Sequence, residues 1–288
     1  MVKHFGEWAV YICQWVRIMT SAKWSGTRWY GRAAAGLTLA VLALGAAAEA
    51  KKPREKLLEA KRAAYEANFK NDARGLQAAA EKLDALATDR ELGAYALYYA
   101  GWTRWSLAAA QLQANEKDGA IASLNRSAED LRKAVALLPE NASSQSQAEF
   151  QCQLASSMIS LAVVDGKRLA ELLPEVQKLR KRALELAPGN PRVVMMDAGM
   201  LFNTPAQYGG SQEKGIERWL EAIRLFEAER IADPVQPDWG RALAYGWLAN
   251  LYLSMTPPRK GEAKEAAERA LALQPDFWYV KTQILPKV

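Results

Sequence analysis

From Pro53 onward, apolar residues recur three and four positions apart, and Lys, Arg and Glu fill most positions between them. This period is that of an amphipathic α-helix, and the segment contains almost no runs of the β-branched residues that favour strands. Asn71-Asp72 separates a predicted helix over 54–70 from a second over 73–87. The pattern therefore predicts an all-α chain built from paired helices.

Further helix boundaries are predicted from residues that cap helices or stop them. Thr88-x-x-Glu91 and Ser144-x-x-Gln147 are typical of capping boxes, and Pro174 suits the first turn of a helix. Asn190-Pro191 is typical of a cap followed by the first helical residue, and Pro237-Asp238 is predicted to cap a segment that begins at Trp239. The chain contains no linker long enough to separate two domains.

A repeat appears at the ends of the predicted second helices. Three members share a basic residue, Ala, aliphatic residues and a Pro; they are KAVALLPEN from Lys133, RALELAPGN from Arg182 and RALALQPD from Arg269. A fourth, EAIRLFEAE from Glu221, matches the apolar part and has Glu where the Pro would fall. Successive copies lie 49, 39 and 48 residues apart. Such periods are typical of stacked helical hairpins, each of which needs its neighbours to bury its apolar face.

Small and bulky residues stand at fixed offsets in the best-defined pair, which carries Met195, Ala198, Gly199 and Phe202 followed by Gly215, Trp219 and Ala222. This pattern resembles the tetratricopeptide repeat (TPR), in which small residues let two helices approach closely. The resemblance implies an all-α, TPR-like α-solenoid of stacked helical hairpins over 91–288, preceded by one helical hairpin over 51–90.

Three stretches extend the resemblance toward a group of exported bacterial TPR proteins. They are TPAQYGGSQEK over 204–214, PDWG over 237–240 and an aromatic residue, Val and Leu-Pro within 278–286. That resemblance implies no particular activity. Gly209-Gly210 has two interpretations: a turn between two helices, with Ser211 capping the second, or an anion site at a helix N-terminus. The Gly-Lys-Ser/Thr ending of a P-loop is missing, which favours the turn.

Residues 1–50 have the character of a leader. Basic residues precede an apolar stretch over 33–48, and Ala48-Glu49-Ala50 has the small-residue pattern of a signal-peptidase site, so cleavage after Ala50 is predicted. Translation starting at Met19 would give a compact signal peptide. The alternative is that 33–48 stays uncleaved and anchors the protein in the inner membrane. The leader predicts export, to the periplasm if the host is Gram-negative.

Removing the leader changes the available chemistry. The net charge falls from +6 to +3, since 33 basic and 30 acidic residues remain, and no basic cluster indicates nucleic acid. His4 and Cys13 are lost, and Cys152 stays as a single thiol, predicted to be a small buried hydrophobe without a disulfide. A mature chain without His has no Ser-His-Asp triad and no His-ligated zinc. The sequence predicts a non-catalytic protein with neither cofactor nor metal.

Two features are candidates for ligand contacts. Tyr95, Tyr98, Trp102 and Trp105 follow helical steps of three and four and share one face, which either lines a groove or packs in the core. Asn250 follows a small residue at a position where peptide-binding TPRs hydrogen-bond a peptide backbone; the alternative is an ordinary polar residue on the helix surface.

The predicted function is that of an exported scaffold or adaptor that binds a protein or peptide partner through a concave helical groove. One alternative is a periplasmic small-molecule binding component associated with an envelope transporter, with the aromatic face as its pocket. Another is a hydrolase of envelope polymers, which needs two converging carboxylates. Fold alone does not decide between them.

Overall fold

The computed structural model describes residues 52–288, so the predicted signal segment and the Met19 start lie outside the described residues. The described part is all-helical and contains no β-strand. Its α-helices are α1 Pro53–Lys70, α2 Ala73–Asp84, α3 Gly93–Gln113, α4 Lys117–Leu137, α5 Ser144–Val164, α6 Leu169–Leu186, α7 Pro191–Asn203, α8 Gln212–Ala228, α9 Arg241–Ser254 and α10 Lys260–Leu273. The predicted all-α class is confirmed.

In the described residues, consecutive helices pack as five helical hairpins, and neighbouring hairpins stack on one another. The hairpins are α1–α2, α3–α4, α5–α6, α7–α8 and α9–α10. Helices α1, α3, α5 and α7 also contact each other in sequence, so the first helices of the hairpins form one face of the stack. We call the surface formed by α1, α3, α5, α7 and α9 the odd-helix face. The solenoid-like arrangement that the repeat predicted is confirmed.

Small residues allow this pairing where the repeat pattern is clearest. A Cβ added to Gly215 on α8 would lie 2.6 Å from the Cβ of Phe202 on α7, so the two helices approach too closely for a larger residue. Ala198 and Ala222 are fully buried in the same hairpin. Close approach of backbones lets the large side chains beside them fill the remaining space at core density.

Two of the predicted boundaries are confirmed with their capping chemistry. Asn71 ends α1 in the left-handed conformation, with φ of 54°, and the side chain of Asp72 accepts a hydrogen bond from Gly75 N at the start of α2. The side chain of Asn190 accepts from Arg192 N and Val193 N, and Pro191 is the first residue of α7. In both places a side chain satisfies helix N–H groups that would otherwise lack partners.

Three other boundaries were wrong by one to several residues. Helix α3 begins at Gly93, and Asp89, not Thr88, accepts from the N–H groups of Glu91 and Leu92. Ser143 caps α5 in place of Ser144. Pro174 lies inside α6, which begins at Leu169 after a short 3-10 turn.

The start of α9 was also misplaced, because Trp239 belongs to the preceding segment and the helix begins at Arg241. Gly240 precedes that helix with φ of 124°, a backbone conformation that suits glycine. Gly209-Gly210 forms a turn, as the missing P-loop ending indicated: Gly209 has φ of 89°, and Ser211 caps α8 by accepting from Lys214 N.

The connection between α8 and α9 lies against distant helices. We call residues 229–240 the crossing segment. Lys61 of α1 donates to the carbonyls of Pro234 (2.7 Å) and Gln236 (2.9 Å), and the hydroxyl of Tyr99 on α3 donates to the carbonyl of Val235 (2.7 Å). The segment therefore packs on the odd-helix face of the first two hairpins, more than a hundred residues away in sequence.

The first described helix also contacts the C-terminal segment, since Phe69 of α1 lies edge to face against Phe277 with ring centroids 5.0 Å apart. After α10 the chain ends in a π-helical turn, Val280–Ile284, and a 3-10 turn, Leu285–Lys287. Across residues 52–288, the helices fall short of the length and apolar character needed to cross a membrane.

Candidate functional site

An apolar cleft of about 150 Å³ opens on the odd-helix face beside the crossing segment. Helices α3, α5, α7 and α9 supply most of its walls, with additions from α8 and the crossing segment. Four tryptophans and three methionines dominate the lining: Trp105, Trp219, Trp239, Trp247, Met195, Met196 and Met200. A concave, mostly apolar surface with few polar groups is what small-molecule sites in proteins have in common.

Helical spacing explains how these side chains come together. On α7 the lining residues Arg192, Met195, Gly199 and Asn203 follow steps of three and four, so they share one side of that helix. On α5 the same spacing places Gln153, Ser156, Ser160 and Val163 opposite them. Each helix presents one continuous stripe to the cleft.

The tryptophan N–H groups are satisfied within the protein in three cases. Trp105 donates to the Ser160 hydroxyl (2.9 Å), Trp219 to the Ala244 carbonyl (2.8 Å) and Trp239 to the Tyr98 hydroxyl (2.9 Å). These bonds fix the orientation of the indole rings, and the fourth ring, Trp247, lies 5.5 Å from Tyr279. The cleft walls are thus held in place before any ligand binds.

Arg192 is the one charged side chain among the described residues that line the cleft. It is buried and its guanidinium is fully engaged: Nε donates to Glu149 (2.5 Å), Nη1 to the Trp239 carbonyl (2.6 Å), and Nη2 to Glu229. Burial by itself lowers the pKa of Arg192, but the carboxylates of Glu149 and Glu229 raise it above its ordinary value. Arg192 therefore ties α5 and α7 to the crossing segment.

Gln153 differs from the other polar residues of the cleft. Its side chain is 1% exposed, and neither its amide oxygen nor its amide nitrogen has a hydrogen-bond partner. The hydroxyls beside it on α5 donate to their own helix, Ser156 to the Cys152 carbonyl and Ser160 to the Ser156 carbonyl. The cleft therefore contains one buried amide whose hydrogen-bonding capacity is unused.

Cys152 also lines the cleft, and the prediction that it behaves as a small buried hydrophobe is confirmed by its 4% exposure. Burial raises the pKa of its thiol, so the thiolate is disfavoured. Its sulfur lies 3.7 Å from that of Met196. Among the described residues, no group of three or more His, Cys, Asp or Glu side chains is arranged to hold a metal ion.

The four predicted aromatic residues of α3 do not share one surface. Tyr98 and Trp102 are 0% and 1% exposed, so they pack in the core, as the second interpretation of the aromatic face allowed. Tyr95 is half-buried against Phe150, with ring centroids 5.3 Å apart. Trp105 alone of the four lines the cleft.

Asn250, the other predicted contact, lies on α9 and is 4% exposed, so it is buried and does not line the cleft. The alternative interpretation, an ordinary polar residue on the helix surface, was therefore wrong. The local sequence around Asn250 does not indicate which face of the helix the neighbouring hairpins cover.

Sequence reasoning missed most of the cleft. Trp239 and Trp247 were not singled out, and Met196, Met200 and Gln153 were not considered. The Met195-Met196 pair followed by Met200 on one helix is a signal that was available, because flexible thioethers are frequent on adaptable binding surfaces. Nothing in the sequence marks Gln153, since its burial depends on the stacking of hairpins.

No protein-family model matches the chain, and no curated protein matches it. Among solved structures, the chain is similar to the HusA haemophore from Porphyromonas gingivalis, with a TM-score of 0.54 and 21% sequence identity. The likeness covers 70% of this chain and 94% of that one. At this identity the comparison supports the helical fold and leaves the function open.

Proposed function

We propose that this protein binds a small, largely apolar ligand with an aromatic or otherwise flat body in the cleft. The observation that carries the proposal is the convergence of four tryptophans and three methionines from separate helices on one cavity. Flat rings stack on tryptophan faces, and thioethers adapt to ligand shape. The binding is non-catalytic, and tetratricopeptide-type packing supplies the frame.

This proposal replaces the protein scaffold as the better-supported function. An extended peptide along the whole odd-helix face would have to displace the crossing segment, which Lys61, Tyr99 and Arg192 hold by buried hydrogen bonds. Buried bonds to a charged group each contribute about 1.5–3 kcal/mol, so displacement is costly.

The similarity to a haemophore makes haem one ligand to test. Tryptophan faces stack on flat rings, and the thioethers of Met195, Met196 and Met200 are groups that ligate haem iron. A cleft of about 150 Å³ would enclose only part of a macrocycle. The two carboxylates of haem fit less well, because Arg192 is already paired with Glu149 and Glu229. If haem binds, those carboxylates face the open side of the cleft.

Export fits this function. The predicted leader over 1–50 and the likeness to a haemophore support a protein that works outside the cytoplasm, in the periplasm if the host is Gram-negative. A binding protein in that compartment would pass its ligand to an envelope transporter.

The proposal is tested by titrating the purified protein with haem, with metal-free protoporphyrin and with naphthalene derivatives while tryptophan fluorescence is followed. We expect saturable quenching by at least one of these flat ligands. Met200→Gln places an amide in the cleft at a half-buried position, so we expect it to weaken binding about tenfold without changing the unfolding midpoint.

Leu137→Gln is the matched control, since Leu137 is 55% exposed on α4 and does not line the cleft. Its binding curves should equal those of the unsubstituted protein. Equal weakening by both variants, or no saturable binding by any ligand of the panel, would contradict the proposed function.

A further inference from the structure

We infer that Gln153 recognises the polar edge of the ligand, and that this edge carries a hydrogen-bond donor and an acceptor side by side, as in a carboxamide, a lactam or a nitrogen heteroaromatic ring. The inference rests on the proposed function and names the chemistry that the cleft selects. It starts from Gln153, a residue of the cleft wall whose amide oxygen and nitrogen are both buried without a hydrogen-bond partner.

Leaving such a group unpaired is unfavourable. A buried donor or acceptor without a partner costs about 1–3 kcal/mol, and Gln153 has one of each. Methionine or leucine at this position would fill similar space without that cost, and methionine already lines the cleft at three nearby positions. A glutamine that the apo protein does not use is explained if its partner arrives with the ligand.

The neighbouring hydroxyls and the guanidinium of the cleft wall are already engaged. The Ser156 and Ser160 hydroxyls donate to carbonyls of their own helix, and Ser160 also accepts from Trp105. Arg192 is engaged by two carboxylates and a carbonyl. Among these cleft-lining groups, the amide of Gln153 is the one with both a donor and an acceptor unpaired.

The amide dictates the complementary chemistry. Its oxygen accepts and its NH₂ donates, so both are satisfied together by a ligand edge that donates and accepts in the same plane. An ionised carboxylate only accepts, and it would leave the glutamine oxygen facing a negative charge. Because four tryptophans line the same cleft, the favoured ligand is an aromatic amide or an amide-like heteroaromatic compound.

Three probes of matched shape test this: naphthamide, which donates and accepts; acetonaphthone, which only accepts; and isopropylnaphthalene, which does neither. We expect the unsubstituted protein to bind naphthamide about tenfold or more tightly than acetonaphthone, because the ketone leaves one half of the Gln153 amide unpaired. In Gln153→Met we expect naphthamide to lose that advantage while isopropylnaphthalene binds as well as before.

Stability provides a second readout. Removing an unused buried amide should leave the unfolding midpoint of Gln153→Met unchanged or raised, whereas a Gln153 that stabilised the apo protein would lower it. Gln147→Met is the control, because the amide of Gln147 is already bonded to the Ala142 carbonyl (2.8 Å) and does not line the cleft. It should leave the order of the three probes unchanged.

The outcomes separate this inference from the proposed function. Binding of all three probes with equal affinity would overturn the role of Gln153 and leave the cleft as a ligand site. Binding of none of them, together with no binding of haem or protoporphyrin, would overturn both. The comparison of probes on the unsubstituted protein decides the matter even if Gln153→Met fails to fold.

Discussion

The two ends of the odd-helix face are built from the same kind of helix but differ in what covers them. Over α1 and α3, which we call the covered half, the crossing segment is bonded through Lys61 and Tyr99. Over α5, α7 and α9, the open half, the surface stays a cleft lined by tryptophan and methionine. A stack of hairpins can therefore use part of one face as core and another part as a binding site.

The polar groups account for the difference. In the covered half, buried donors meet the carbonyls of the crossing segment, and Asp238 neutralises Lys61 at 2.8 Å. In the open half, Gln153 offers both a donor and an acceptor, yet the protein provides no partner for them. The covered half also contains two buried atoms without a partner, the Tyr65 hydroxyl and the Trp102 indole nitrogen, so the halves differ in their bonds to the crossing segment and not in pairing as such.

Alkaline pH should unfold the protein, and the covered half should be responsible. Burial raises the pKa of Tyr98 and of Tyr99 well above 10.0. Above that pH the unfolded chain loses protons that the folded chain keeps, so the free energy of unfolding falls as pH rises. Burial lowers the pKa of Lys61, although the Asp238 carboxylate opposes this shift. The contribution of Lys61 to the free energy of unfolding therefore rises with pH only up to the ordinary pKa of 10.5 and does not offset the tyrosines above it.

The measurement is a pH titration that follows tyrosinate absorbance and far-ultraviolet circular dichroism together. Helix loss should coincide with ionisation of the buried tyrosines Tyr98 and Tyr99. Full ionisation of all tyrosines with the helix signal intact would show that the covered half admits solvent.

Two tryptophans one turn apart on α3 lie at the boundary between the halves, Trp102 in the covered core and Trp105 on the wall of the cleft. Trp102→Ala should lower the free energy of unfolding by roughly 3–5 kcal/mol, because the side chain is 1% exposed. Trp105→Ala removes a half-buried ring from the cleft wall and should cost roughly 1–2 kcal/mol while weakening ligand binding. Urea unfolding and the fluorescence titration measure the two effects, and similar stability losses for both variants would remove the distinction.

The sequence predicted the class, the hairpins and several caps because these depend on local patterns. Helical periodicity shows which apolar residues share one face of a helix. Asn190-Pro191 contains both the capping side chain and the first helical residue in two adjacent positions. The predicted caps were wrong where two neighbouring residues can both cap a helix, as with Asp89 beside Thr88 and Ser143 beside Ser144. Which of two such neighbouring residues caps the helix is decided by tertiary packing.

The site was harder to predict, since it depends on which face of each helix is covered. The aromatic spacing on α3 predicted one shared surface for four rings, whereas the crossing segment covers Tyr98 and Trp102 is buried in the core. Contacts between Lys61 and Gln236 span 175 residues, and no local pattern encodes them. Only Trp105 was both predicted and found in the cleft.

The bonds that hold the crossing segment can be ranked by burial. Lys61→Met should lower the free energy of unfolding by about 1.5–3 kcal/mol, because it leaves two carbonyls and Asp238 without their charged partner. Arg54→Met removes a neighbouring ion pair with Asp233 that is nearly half exposed, so its cost should stay below about 1 kcal/mol. Urea unfolding of both variants gives the comparison, and equal losses would mean that the buried anchor contributes no more than the exposed one.

Two helical glycines should respond to alanine with opposite signs. A Cβ on Gly101 in the covered half would lie 2.5 Å from Leu131, so Gly101→Ala should destabilise by about 1 kcal/mol or more. A Cβ on Gly199 in the open half meets only the Trp219 ring, at 3.5 Å, so Gly199→Ala should stabilise by about 0.5–1 kcal/mol through helix propensity. The added methyl group also narrows the cleft, so we expect the Gly199→Ala variant to bind flat ligands more weakly although it is more stable. A Gly199→Ala variant that lost stability would show that the open half is packed as tightly as the covered half, and the contrast between them would then fail.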